Sequence, residues 1–122
     1  MKKSILSLFI LALIVAGLSC KKNDEGGKAR ISGKVMHHDK PIPFARVFIK
    51  YGAKEFPGSD STQYNKTIVT GADASYSFDC YKGDYFLYGK GYDTDIQEEV
   101  TGGIHVKTRS KQKQTIDVPV TE

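Results

Sequence analysis

From position 30 onward, apolar and polar residues alternate with a period of two, and no window carries a helical repeat. Ile31, Gly33 and Val35 share one face of a first strand over 30–36. Lys40-Pro41-Ile42-Pro43 reads as a stiff bend. After it, Ala45, Val47 and Ile49 point one way while Arg46, Phe48 and Lys50 point the other. The stretch 52–65 holds Pro57, Gly58, Ser59, Asp60, Ser61 and Thr62, the composition of a loop. Segments 67–70 and 75–80 are expected to form a hairpin about Gly71-Ala72-Asp73-Ala74, and Lys82-Gly83-Asp84 a turn into a strand over 85–92. Segments 96–101 and 104–108, separated by a Gly102-Gly103 turn, and a last strand over 114–120 complete the set. Seven or eight short strands with frequent turn signals predict an all-β, two-sheet sandwich spanning 30–122.

The first 29 residues follow another pattern. Lys2 and Lys3 precede an apolar run over 5–15, too short for a spanning helix of about 20 residues. Small residues then lead to Cys20, which is the organisation of a cleaved export signal over 1–19. Ala16-Gly17-Leu18-Ser19-Cys20 resembles the lipobox of bacterial lipoproteins, although the family's usual leucine lies one residue earlier than Leu18. The resemblance implies cleavage before Cys20, acylation of its thiol and amino group, and stable membrane anchoring by two or more acyl chains. Lys21-Lys22-Asn23-Asp24-Glu25 is similar to the charged signal that sends some lipoproteins to the outer face of the outer membrane. An outer-membrane location in the cell envelope is the implied address. Residues 20–29 are expected to be a lipidated cysteine and flexible tether, reaching about 15–18 Å over 21–29.

The net charge of +4 falls to +2 once Lys2 and Lys3 leave with the signal, 16 basic residues against 14 acidic. Neither the charge nor an exported location suits nucleic acid as a partner. Cys80 is the one cysteine besides Cys20, so an acylated Cys20 leaves no intramolecular disulfide. Stability must then come from a continuous apolar core. By its alternation with Tyr76 and Phe78, Cys80 is expected to be a small buried side chain.

Ile31-Ser32-Gly33-Lys34-Val35, Pro41-Ile42-Pro43 and Ala45-Arg46-Val47 resemble the opening of the carboxypeptidase regulatory-like domain, a prealbumin-like (transthyretin-like) β-sandwich related in architecture to Ig-like folds. Thr70, Tyr76 and Phe78 match that family's central hairpin. Gly83-Asp84-Tyr85, Gly91-Tyr92 and Thr115-Ile116-Asp117-Val118 match its later strands. Phe44 stands where the family usually has glycine, and Gly71 and Ala74 replace its Asp and Gly. Only glycine reaches positive φ without steric cost, so Ala74 bears directly on the turn. Tyr85, just inside a strand after a glycine turn, is expected to bury its ring as a structural tyrosine corner.

Candidate chemistry is sparse. His37-His38-Asp39 is the most tempting group, but neighbours on a strand face opposite ways and converge only if a turn twists them together. The pair is therefore expected to sit at a solvated hairpin tip, with no metal and no cofactor. His105 alternates with Ile104 and Val106 and is expected on the outer face, outside any nucleophile–base arrangement. Lys34 and Asp117 lie on strands that form isopeptides in some related domains, but their pattern turns them outward. No catalytic residues are assigned, and an enzyme is not expected. Phe48, Phe86 and Tyr88 are expected on the outer face of neighbouring strands, forming an exposed contact surface or else lying beneath the long loop. Tyr64, Tyr81 and Phe56 are candidates for a ligand rim. Lys107, Arg109, Lys111 and Lys113 form a basic turn able to meet anionic headgroups. The expected function is a membrane-anchored, non-catalytic interaction module with an envelope protein as partner. Glycan or small-ligand binding is the alternative, weakened by the absence of tryptophan.

Overall fold

The computed structural model describes residues 21–122. They form a two-sheet β-sandwich of nine strands. The strands are β1 (Glu25–His37), β2 (Lys40–Pro41), β3 (Arg46–Tyr51), β4 (Lys66–Val69), β5 (Ser75–Cys80), β6 (Gly83–Asp93), β7 (Glu98–Thr108), β8 (Lys113–Thr115) and β9 (Val118–Pro119). One sheet is built on β1, which pairs antiparallel with β2 and β5 and parallel with β8 and β9. The other runs β4-β3-β6-β7, all antiparallel. One edge is closed by the segment after β9, where Thr101 and Thr121 exchange backbone hydrogen bonds of 2.9 and 2.8 Å.

Alternation builds the core. Ile31 and Val35 from β1, Val47 and Ile49 from β3, Tyr85 and Leu87 from β6, and Val118 from β9 all have no measurable exposure. Tyr76, Phe78, Cys80, Val100 and Val106 pack into the same cluster. Inter-sheet burial of this kind, at roughly 25 cal/mol per Å² of apolar surface, is what holds a domain with a single free cysteine together.

Five local expectations are corrected. Strand β1 begins at Glu25, so 25–29 belong to the sheet and only a few residues of the expected tether remain outside it. Segments 67–70 and 75–80 are not a hairpin: β4 lies in one sheet and β5 in the other, and 70–74 cross between them. Gly102 and Gly103 are not a turn but lie inside the unbroken β7. A Cβ at Gly102 would run into the Pro119 carbonyl, and one at Gly103 would lie 2.5 Å from the Phe86 ring. These glycines mark close approach, the second meaning of glycine in a strand. Ile96 falls in the turn between β6 and β7. The last strand is broken at Ile116-Asp117, where the Tyr76 hydroxyl donates to the Ile116 carbonyl at 2.5 Å and Asp117 accepts the Lys34 N–H at 3.0 Å.

Ala74 takes φ +65°, buried, with its N–H on the Gly71 carbonyl and its carbonyl accepting the Val35 N–H. The turn keeps the left-handed geometry and alanine bears a steric cost of about 1 kcal/mol.

Candidate functional site

Strand β6 spans eleven residues, about 35 Å at 3.3–3.4 Å per residue, so the sandwich has two well-separated ends. Its start, Gly83, lies where the chain enters. The Asn23 N–H bonds the Lys82 carbonyl at 2.9 Å, and the Asn23 side-chain oxygen accepts the Asp84 N–H at 2.9 Å. Gly83 at φ +145° makes this fit, since a Cβ there would overlap the Asn23 amide. The Tyr85 ring is fully buried, and its hydroxyl donates to the Tyr81 carbonyl at 2.6 Å and accepts the Asp24 N–H at 3.0 Å. Burial raises the Tyr85 pKa above its ordinary value. The fold therefore grips the chain from Asn23, three residues after Cys20.

This entry end is basic. Lys21, Lys28, Lys82 and Lys111 line one shallow groove, and Lys22, Lys82, Lys107 and Arg109 another. The β7–β8 turn, with its row of cations, is thereby joined by lysines from the amino-terminal segment. Lys21 also stands 5.0 Å above the Tyr81 ring.

On the face of the β4-β3-β6-β7 sheet, of the two expectations for Phe48, Phe86 and Tyr88 the exposed surface is overturned and the cover by the long loop holds. They are 7, 8 and 6% exposed and form a second apolar cluster with Ala53 and Tyr64. The loop between β3 and β4 folds over them. Tyr64 stacks on Tyr88 with ring centroids 5.8 Å apart, and Phe56 lies 5.1 Å from Tyr88 and 5.9 Å from Phe86. The loop is itself fastened by the Tyr64 hydroxyl on the Gly58 carbonyl, and by a 3₁₀ turn (Ser61–Gln63) whose N-cap Asp60 accepts the Thr62 N–H. Alternation located the outward face correctly but carries no information about what covers it. Tyr64 and Phe56 are the cover rather than a rim, and Phe56 keeps 53% exposure.

Among the described residues, the far end carries most of the large apolar side chains that remain exposed: Phe44 at 68%, Val69, Tyr92 and Ile96. Phe44 has φ +56°, a left-handed conformation that costs a non-glycine residue about 1–2 kcal/mol. Residues held there against preference cluster at functional sites. Phe44 and Tyr92 together line two adjoining grooves of about 360 and 250 Å³, the larger shared with Arg46, Lys90 and Glu99. The sequence did carry one signal for this site, a phenylalanine where the resembled family has glycine.

The same end holds the histidines, and here the solvated-tip expectation is corrected for His37. It is 7% exposed, with Nδ1 2.7 Å from Asp93 and Nε2 2.5 Å from Glu122. Asp93 is 3% exposed and also binds Lys40 Nζ at 2.6 Å and the Asp95 N–H at 3.0 Å. Lys40 first, then His37, hold the Asp93 carboxyl well below the usual carboxylate range. The Asp93 hydrogen bond in turn raises the His37 pKa, against the opposing effect of burial. His38, in the two-residue turn between β1 and β2, has φ +56° and is exposed. That turn brings the adjacent rings to 4.6 Å between centroids.

The other singled-out residues sit apart. The Cys80 thiol is buried and pushed up by that burial, the state of a packing group rather than a nucleophile. His105 is exposed and pairs with Asp84 at 2.8 Å. Asp117 meets the Lys34 backbone, and both side chains lie at the surface. The expected export signal over 1–19 and the expected lipidation at Cys20 lie outside the described residues. Among the described residues no helix is long and apolar enough to cross a membrane. A scan against protein-family models gives no match, and a search of curated proteins returns no relative.

Proposed function

We propose that the protein is a lipid-anchored, non-catalytic module of the cell envelope, with a carboxypeptidase regulatory-like sandwich that meets a protein partner at the end remote from the membrane. The observation that carries this reading is the polarity of the two ends. Three residues span at most about 11 Å, so an acylated Cys20 holds the entry end against the lipid surface. That end presents Lys21, Lys22, Lys82 and Lys111, and each cation near an anionic leaflet contributes about 1 kcal/mol. The exposed Phe44 and Tyr92 then stand about 35 Å out from the membrane, at the far ends of β6 and the β2–β3 connection.

The test is crosslinking in cells followed by purification from membranes. Wild type is expected to bring down one defined partner, lost with Phe44→Ser plus Tyr92→Ser. Cys20→Ala is expected to release the protein from the membrane fraction. A partner retained by the double variant removes the far end as the contact surface, and an unlabelled Cys20 in a palmitate-incorporation assay removes the anchor.

A second reading has one observation in its favour. The 360 Å³ groove combines Phe44 and Tyr92 with Arg46, Lys90 and Glu99, an apolar surface flanked by hydrogen-bonding groups suited to a saccharide. A glycan screen in which the wild type binds and Tyr92→Ser does not would favour it over the protein partner.

A further inference from the structure

The geometry points to a site for one borderline divalent transition-metal ion, of the Zn²⁺ class, formed by His37, His38 and Glu122. One ligand atom from each of the three lies within 4.8 Å of the others, gathered from the end of β1, the turn after it and the segment after β9. Ligands sharing a tetrahedral metal at 2.0–2.1 Å are about 3.3 Å apart. His38 and Glu122 are both exposed, so the closure to that spacing falls to their side chains.

What distinguishes this group from a chance surface cluster is the support behind it. A ligating histidine characteristically donates its second ring N–H to a carboxylate, which fixes its orientation. His37 has that arrangement, with Nδ1 on Asp93 at 2.7 Å and Nε2 turned toward Glu122. Asp93 is in turn occupied on its other oxygen by Lys40 and the Asp95 N–H, so it orients the ring rather than competing as a ligand. The ring is buried among these partners and cannot swing away. His38 is supplied by a turn residue at φ +56°, where glycine or asparagine is the usual choice. A metal ion would take the place of the proton between His37 Nε2 and Glu122.

Two imidazoles and one carboxylate select Zn²⁺, Ni²⁺ or Cu²⁺ over Mg²⁺ and Ca²⁺, which prefer all-oxygen shells. The remaining coordination position faces solvent beside an open groove of about 710 Å³ that His38 and Thr121 line. A bound ion ties the segment after β9 to the β1–β2 turn. This assignment is independent of the membrane and partner reading.

Isothermal titration of the tag-free full chain with ZnCl₂, and with MgCl₂ as the comparison, tests it. Expected are one Zn²⁺ per chain, no heat from Mg²⁺, and a melting temperature raised by Zn²⁺ alone. Because His37→Ala disturbs a buried network, the decisive variants are His38→Ala and Glu122→Gln, both at exposed positions. Each is expected to weaken Zn²⁺ binding at least about tenfold, His38→Ala while leaving the metal-free melting temperature unchanged and Glu122→Gln while lowering it only by the loss of its ionic bond to His37, with His105→Ala binding as wild type. Absence of one-to-one Zn²⁺ binding, or binding that survives either His38→Ala or Glu122→Gln, or that is lost in His105→Ala, overturns the site.

Discussion

The Tyr85 hydroxyl joins Asp24 to the rest of the sandwich: it accepts the Asp24 N–H at 3.0 Å while donating to the Tyr81 carbonyl at 2.6 Å. One atom thus ties the entering chain to the turn that precedes β6. Tyr85→Phe leaves a half-buried N–H and carbonyl short of a partner and is expected to cost about 1–2 kcal/mol in urea unfolding. It should also speed hydrogen exchange at Asn23 and Asp24. Tyr51→Phe is the matched comparison, because the Tyr51 hydroxyl is buried with no partner among the described residues. That change is expected to be neutral or mildly stabilising. Equal effects of the two substitutions would remove the special role of Tyr85.

Phe44 sets stability against exposure. Glycine at this position relieves about 1–2 kcal/mol of left-handed strain and forfeits about 0.4–1 kcal/mol through its more flexible unfolded chain. The phenyl ring is 68% exposed, so little packing is lost with it. Phe44→Gly is therefore expected to raise stability by about 0.5–1 kcal/mol, read as a higher midpoint in urea at unchanged m-value. A stabilised variant that no longer captures the partner would mean that the ring is retained for contact and not for folding. A destabilised variant would place the ring in packing instead.

How far the sequence reached follows from what alternation encodes. Period-two patterning assigns each side chain to a sheet face, and it assigned Ile31, Val47, Ile49, Leu87 and Cys80 to the interior, where they lie. It says nothing of which strands are neighbours, so the 67–80 segment has the pattern of a hairpin although β4 and β5 belong to different sheets. Glycine is ambiguous in the same way, and at 102–103 it signals backbone crowding against Pro119 and Phe86 rather than a turn. The histidine site was half legible. The histidine pair stands in the local pattern, with the condition that a turn must twist the rings together; Asp93 and Glu122 lie 56 and 85 residues from His37 and no local pattern connects them.

The covered aromatic cluster turns an expected binding surface into a folding element. Phe86 and Tyr88 are under 10% exposed and touch Phe56 and Tyr64 of the overlying loop. Truncating either to alanine removes buried area and leaves a cavity under that loop, at a cost of about 3 kcal/mol. The expected signs are a lower melting temperature and rapid proteolysis within 52–65. Unchanged stability together with lost partner binding would restore these rings to the contact surface. The distinction matters in practice, because serine at these positions would abolish binding simply by loosening the domain.

Acid sensitivity follows from carboxylates that the fold holds ionised. The Arg30 guanidinium, bonded at 2.8 Å, lowers the Asp79 pKa; His105 lowers that of Asp84; the Ser75 hydroxyl and N–H lower that of Asp73; and the Thr62 N–H and hydroxyl lower that of Asp60. A carboxyl whose folded pKa lies below its unfolded value of about 3.9 binds protons more readily in the unfolded chain. Its contribution is complete above that value and is lost as pH falls toward the lower folded pKa. Urea midpoints are therefore expected to decline steadily below about pH 4 through these carboxylates, while the raised His37 pKa adds a separate loss as pH rises above about 6.5. The decline should be shallower in Asp79→Asn, which removes one of these titrations. Added salt should flatten the Arg30–Asp79 part most, because both side chains are about half exposed and well screened. Midpoints that stay level from pH 5 down to pH 3 would show that these four carboxylates titrate alike in the folded and unfolded chain.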